Sequence, residues 1–160
     1  MPSAYAEALR LLARRELSEA QVRERLARKA FERPAIDEAV ARLRRSGAID
    51  DLRVATAAAR TEALVKRRGR LRIRRHLAEI GIAADTIARA LEDVFSAIDE
   101  AAVIEAALGR RLRGPRARIE DAAHFRKLHQ HLVRQGFQPS AVTALLRRRA
   151  RPDAVPDDEE

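Results

Sequence analysis

The sequence predicts an all-α protein made of three tandem three-helix repeats. An apolar pattern recurs at offsets of 51 and 55 residues, and glycines and prolines separate its helical stripes. The aromatic residues are only one Tyr and four Phe, which favours closely packed aliphatic helices over a β-sandwich. A period of this length is typical of repeat architectures, so we expect an elongated array of helices, either straight or curved. The recurring positions are Leu26, Ala30, Phe31, Ile36, Val40; Leu77, Gly81, Ile82, Ile87, Leu91; and Leu132, Gly136, Phe137, Val142, Leu146.

The repeats are predicted at residues 1–50, 51–98 and 99–150. Each consists of a leading helix followed by a helix, a turn and a helix. Residues 151–160 contain prolines and end in an acidic cluster, a composition that cannot bury a core. We therefore expect this tail to be disordered.

In the first repeat, the first helix is predicted over residues 3–15, with Ser3 as its cap. Ser18 begins the second helix in a capping box with Gln21, and this helix ends near Ala30. The first helix is predicted to bury Tyr5, Ala8, Leu9 and Leu12, and the second Val22, Leu26 and Ala30.

Pro34 lies at the predicted start of the third helix, where its missing N–H is tolerated, and Gly47 ends that helix. Asp50 and Asp51 follow as predicted caps of the fourth helix. Adjacent acids could also suggest acid–base or metal chemistry, but at a helix start they do not converge on one point. The third helix is predicted to bury Ile36, Ala39, Val40 and Leu43.

The second repeat begins with an alanine-rich helix predicted over about residues 52–66, which Gly69 separates from the fifth helix. Gly81 ends that helix and Asp85 begins the sixth. The predicted buried positions are Ile73, Leu77 and Ile80, then Ile87, Leu91, Val94 and Phe95.

In the third repeat the leading helix is predicted over about 100–112, and Gly114 and Pro115 mark a turn. Gly136 ends the eighth helix and Pro139 begins the ninth. Their predicted buried positions are Phe125, Leu128 and Leu132, then Val142, Leu145 and Leu146.

The net charge is +9 and is unevenly distributed, with +14 over residues 1–152 and −5 over residues 153–160. Such a balance favours a polyanionic partner, either nucleic acid or an acidic protein surface. Thirty of the 33 basic residues are Arg, which a G+C-rich coding bias would also produce.

Two segments concentrate this charge, at residues 66–76 and 110–118. Like charges so close together repel unless a partner neutralises them, so we predict that both segments contact phosphates or an acidic partner. The alternative is a solvated helix face beside a turn. The predicted contact residues are Lys66, Arg67, Arg68, Arg70, Arg72, Arg74, Arg75, Arg110, Arg111, Arg113 and Arg116.

Residues for catalysis are lacking. The sequence has no Cys, no phosphate-binding Gly-Lys-Ser/Thr loop, and four histidines whose spacing does not predict a shared metal site. Residues 1–16 lack the uninterrupted apolar run of a signal peptide, and no segment approaches the apolar run of about 20 residues that a membrane span needs. We therefore predict a non-enzymatic, cytoplasmic binding protein without a cofactor or membrane association.

The order and spacing of several short pieces resemble the RecX family of bacterial regulatory proteins. This likeness covers about residues 5–148. It consists of Ser18-Glu19, Leu26 to Phe31, Gly47 to Asp51 with Arg53 and Ala55, the segment from Gly69 to Ile73, Leu77, Gly81 and Ile82, and Arg134 to Phe137. The chain has Ala30, Val54 and Arg70-Leu71 where such proteins tend to have Gly, Phe and Gly-Pro.

The resemblance implies a modulator of the RecA recombinase, and we expect the protein to be a monomer. Such a protein would lie on the RecA filament on single-stranded DNA and inhibit ATP hydrolysis and strand exchange. Two other readings of the residues remain open. A protein that binds DNA or RNA by itself would act through phosphate contacts, whereas a purely structural scaffold would show no preference for polyanions.

Overall fold

The computed structural model describes residues 3–112 and 118–156. Within them lie nine α-helices and a 3-10 helix at Pro152–Ala154, and β-type pairing is limited to an isolated bridge between Ile119 and Ala150. The all-α prediction is confirmed, and none of the described helices could span a membrane. The helices are α1 Ala4–Leu12, α2 Glu19–Arg28, α3 Arg33–Arg45, α4 Asp51–Leu64, α5 Arg70–Glu79, α6 Ala84–Ser96, α7 Glu100–Gly109, α8 Ala122–Arg134 and α9 Pro139–Arg149.

Several helices begin at the predicted caps. The Ser3 hydroxyl accepts a hydrogen bond from a backbone N–H in the first turn of α1. Ser18 and Gln21 form the predicted capping box of α2, each accepting a backbone N–H at 3.2 Å. Pro139 is the first residue of α9, where the ring costs no hydrogen bond. Local side-chain chemistry therefore determines these starts.

Left-handed residues follow several of the helices. The backbone φ angle is +70° at Gly47, +79° at Gly81 and +93° at Gly136. Ala30, at the corresponding position after α2, has φ of 60° and is not helical. A Cβ in this conformation costs about 1–2 kcal/mol, so Ala30 is strained where glycine would not be.

The chain divides into two compact units. The first contains Met1–Ala59 and His76–Asp93, and the second contains Arg60–Arg75 and Val94–Glu160. Residues of the predicted middle repeat, 51–98, therefore belong to both units. The predicted repeat boundaries describe a sequence pattern and stay a prediction.

In the first unit α1, α2 and α3 enclose an apolar core, and in the second α7, α8 and α9 do so. The predicted stripes of α3, α6, α8 and α9 are buried. The predicted stripe of α1 is wrong at Leu9, which is 40% exposed. Ala8 is buried as predicted, and Ala4, which was not predicted, is buried too, because these small residues allow α1 to approach its neighbours closely. The predicted burial of Ala30 is also wrong, because this residue lies in the exposed left-handed turn after α2.

One contact occurs in each unit at equivalent positions. In the first unit the Ser18 hydroxyl donates to the Ile80 carbonyl at 2.5 Å. In the second the Gly69 N–H donates to the Gln135 carbonyl at 2.8 Å. Gly69 lies 51 residues after Ser18, and Gln135 lies 55 after Ile80, which are the offsets of the sequence pattern. In both places a helix-ending turn contacts the start of an earlier helix.

The two acids before α4 have different roles. Asp50 accepts the Arg53 N–H at 3.0 Å and caps α4 as predicted. Asp51 instead accepts the Glu19 N–H at 2.8 Å, at the start of α2. Burial raises the pKa of Asp51, an effect that this hydrogen bond only partly opposes. The capping prediction for Asp51 is wrong because its partner is on another helix.

The predicted disorder is wrong for the first residues of the tail. Pro152–Ala154 form a 3-10 helix, Ala154 is fully buried and Val155 packs against the core of the second unit. The small apolar side chains between the prolines supply enough contact to anchor this segment. Residues 157–160 lie outside the described residues.

Candidate functional site

A buried carboxylate organises the loop between α4 and α5. The Glu62 side chain is 3% exposed and contacts Lys66 Nζ and Arg68 Nη1, each at 2.5 Å. Burial alone would raise the pKa of Glu62, but the two hydrogen bonds outweigh it and the pKa is lowered. Lys66 and Arg68, two of the predicted contacts, thus share one internal anion, while the Lys66 side chain stays 48% exposed.

Arg67 lies between these two partners of Glu62 and has a φ of 57°. Hydrogen bonds from the Lys66 N–H to the Thr61 carbonyl (3.2 Å) and from the Arg68 N–H to the Glu62 carbonyl (3.1 Å) flank it. Within residues 3–112 and 118–156 its side chain has no ion pair. The loop thus holds Arg67 in a left-handed conformation between two anchored neighbours.

The next two predicted contacts are partly buried. Arg70 lies 3.6 Å from Glu100, and its guanidinium lies over the Phe95 ring at 4.4 Å. Arg72 Nη1 donates to Gln135 Oε1 at 3.0 Å. Both residues therefore support the second unit rather than extending into solvent, because partners far away in sequence lie beside them.

Arg74 and Arg75 are exposed, as predicted. Neither has an ion pair in the described part of the chain. These two side chains are therefore available to an external anion.

The basic residues that follow α7 approach the same loop. Arg110 Nη2 donates to the Val65 carbonyl at 2.8 Å, and Arg111 Nη2 lies 3.2 Å from His131 Nδ1. Both arginines are exposed overall. Arg113 and Arg116, also predicted contacts, lie outside the described residues. The second basic segment therefore contacts the main chain directly before the first one, through the hydrogen bond from Arg110 to the Val65 carbonyl.

These side chains form a cleft within the second unit. Its volume is about 220 Å³, and no Asp or Glu is among the described residues that line it. A site lined by several cations and no anion favours an anionic ligand. We call it the basic cleft; its lining residues are Lys66, Arg67, Ala107, Arg110, Arg111, His131 and Gln135.

The prediction did not include His131 and Gln135, which lie at the end of α8. Burial lowers the pKa of His131, and the nearby charges of Arg111, Arg134 and Arg72 lower it further. This histidine has no role predicted from the sequence, since the spacing of the four histidines predicts no shared metal site. Its position beside Arg111 depends on how α7 packs against α8, which no local motif indicates.

Metal chemistry has little support in the part of the chain that the structure describes, since no group of three His, Asp or Glu side chains comes together there. The basic cleft has nitrogen donors and one amide oxygen. Its chemistry suits binding of an anion.

Comparison with known proteins identifies the family. Family models of the first and second RecX three-helix domains match residues 4–43 and 50–91. A regulatory protein RecX from Pelodictyon phaeoclathratiforme is 30% identical over 159 residues, covering 99% of this chain and 95% of the relative. The chain belongs to the RecX family. This agrees with the resemblance found in the sequence.

Other RecX proteins differ in length. A regulatory protein RecX from Geobacillus kaustophilus is 30% identical over 143 residues, which are 89% of this chain. The chain spans about half of that relative, or 52%. The crystal structure of RecX from Lactobacillus salivarius matches with a TM-score of 0.73 and 19% identity, covering 91% of this chain and 93% of that one. This structural match shows a shared RecX fold.

Proposed function

We propose that this RecX-family protein is a non-enzymatic modulator of the RecA recombinase. It binds the filament that RecA forms on single-stranded DNA and inhibits ATP hydrolysis and strand exchange. It acts as a cytoplasmic monomer in homologous recombination, DNA repair and the SOS response. Its membership of a family of proteins called regulatory supports this role.

The observation that carries the proposal is the basic cleft with no acidic residue in its described lining. Arg67 and Arg111 contribute guanidinium groups, which bind phosphate or carboxylate oxygens in a bidentate manner. Arg74 and Arg75 provide a further exposed contact outside the cleft. Arg68, Arg70 and Arg72 support these residues through internal partners, and Arg113 and Arg116 stay predicted contacts.

A charge reversal in the cleft tests this assignment. We expect Arg67→Glu/Arg111→Glu to weaken inhibition of the RecA ATPase on single-stranded DNA by at least about tenfold, since each lost charged contact typically costs about 1–3 kcal/mol. The measurement is the protein concentration that gives half-maximal inhibition. Circular dichroism checks that the variant is folded.

Arg14→Glu/Arg15→Glu is the matched control, because it changes the net charge equally at two exposed arginines of the first unit. This control should inhibit nearly as well as the unaltered protein. Equal loss in both double variants would show a non-specific charge effect and contradict the cleft assignment.

A titration with naked oligonucleotide separates the filament role from independent nucleic-acid binding. Inhibition of RecA with only weak binding to naked DNA at physiological salt supports action on the filament. Submicromolar binding to naked DNA without any effect on RecA would instead favour a protein that acts on nucleic acid alone. If binding involves phosphates, a plot of the logarithm of the binding constant against the logarithm of the salt concentration should have a slope of about −0.7 per contacted phosphate.

A further inference from the structure

The contact between Arg111 and His131 determines the protonation state of the His131 ring, which lines the basic cleft. Arg111 Nη2 lies 3.2 Å from His131 Nδ1. A guanidinium group only donates hydrogen bonds, so Nδ1 must accept. His131 is therefore neutral in this arrangement, with its proton on Nε2.

Every charged group among the described residues that line the basic cleft is positive. Lys66 and Arg67 come from the loop before α5, and Arg110 and Arg111 follow α7. The Glu62 carboxylate, which contacts the lining residue Lys66, is buried and already bonded to that lysine. Protonation of His131 would add another cation to this group, which is unfavourable while the cleft holds no anion.

Two further arginines act on the same histidine. Arg72 of α5 and Arg134 of α8 add to the effect of Arg111, and together with burial they lower the pKa of His131. Arg72 is held near the cleft through Gln135, one of its lining residues. An entering anion would offset this positive potential and make protonation favourable.

We propose that the basic cleft binds a phosphodiester group of single-stranded nucleic acid and that His131 takes up one proton from solvent as the phosphate enters. This inference deepens the proposed function and rests on it. Arg111 exchanges its hydrogen bond to Nδ1 for one to a phosphate oxygen. The released Nδ1 accepts the proton, so both ring nitrogens of His131 can then donate.

Proton uptake makes binding tighter at lower pH. A negative charge within about 4–6 Å shifts a pKa by about 1–3 units, and each unit corresponds to about tenfold in affinity. A phosphodiester stays singly charged over this range, so the protein supplies the pH dependence. When the pH is lowered from about 7.5 to about 5.5, we expect the affinity for the oligonucleotide to rise about tenfold more in the unaltered protein than in a protein without this histidine.

The test measures binding of a labelled thymidine oligonucleotide of about 12 nucleotides without a terminal phosphate, by fluorescence anisotropy across this pH range. His131→Gln keeps a polar side chain but cannot take up the proton, so its affinity should change much less with pH. His129→Gln is the matched control, because His129 lies on the same helix, contacts Thr143 at 3.1 Å and does not line the cleft. That variant should keep the full pH dependence.

An NMR titration of His131 in the unaltered protein, with and without sulfate, gives a second measurement that needs no variant. Sulfate, a non-titrating analogue of phosphate, should make the His131 ring titrate at higher pH. The proposal is overturned if His131→Gln keeps the full pH dependence, if the unaltered protein does not bind the oligonucleotide at low salt, or if sulfate leaves the His131 titration unchanged. RecA is absent from these assays, so failure to inhibit RecA would count against the proposed function separately.

Discussion

Gly136 is a position where alanine should strongly destabilise the second unit. It has a φ of +93°, and a Cβ built there would lie 2.4 Å from the Arg72 nitrogen and 2.9 Å from the Gly69 oxygen. The backbone of the turn after α8 directly contacts the start of α5. Gly136→Ala therefore combines a left-handed alanine with an overlap against main-chain atoms.

The two costs can be separated by comparing three glycines. A left-handed alanine costs about 1–2 kcal/mol, and forcing extra volume into a packed site costs about 1–3 kcal/mol. Gly136→Ala should thus lower the free energy of unfolding by about 2–5 kcal/mol. Gly47→Ala, with φ of +70° and open space around the Cβ, should cost only the first amount. Gly69→Ala, without positive φ but with a Cβ 2.3 Å from Gly136 atoms, should cost only the second.

Urea unfolding followed by circular dichroism measures all three variants. Gly136→Ala is expected to unfold at the lowest urea concentration, with a free-energy loss at least about 1 kcal/mol larger than that of Gly47→Ala. A loss at Gly47 equal to or larger than that at Gly136 would refute the argument, because it would mean that the backbone contact between the two turns contributes nothing.

Two further predictions concern strain and buried charge. Ala30→Gly should raise the free energy of unfolding by about 0.5–1 kcal/mol, since relief of left-handed strain exceeds the added chain entropy; a lower urea midpoint would contradict this. Glu62→Gln should cost about 1–3 kcal/mol at neutral pH. Because the pKa of Glu62 is lowered by folding, its stabilisation is present above about pH 4.3 and is lost as pH falls through the native value. Urea midpoints below about pH 5 should therefore fall less steeply in Glu62→Gln than in the unaltered protein.

Most helix boundaries could be predicted because they depend on residues close together in the chain. Ser18 and Gln21 are three residues apart, and Gly47 ends a helix through its own backbone freedom. The strained Ala30 shows the limit of this reasoning. Its conformation follows from the turn between α2 and α3, and no side-chain preference would place an alanine there.

The candidate site was less predictable because charge density does not show which charges are neutralised. Arg72 donates a hydrogen bond to Gln135, which is 63 residues away in the sequence, and Arg110 donates one to the Val65 carbonyl, which is 45 residues away. His131, which has no role predicted from the sequence, becomes central because it lies beside Arg111. Each of these contacts requires packing of distant helices.

The amino-acid order by itself determined the all-α class, the recurring apolar pattern and the concentration of cations in two segments. Helical periodicity, caps and left-handed glycines act over a few residues, so they can be recognised in sequence. The tertiary structure alone decided that Lys66 and Arg68 share a buried glutamate while Arg67 and Arg111 line a cleft with no acidic residue in its described lining. Ion pairing depends on distance in space, and folding sets that distance between residues far apart in the chain.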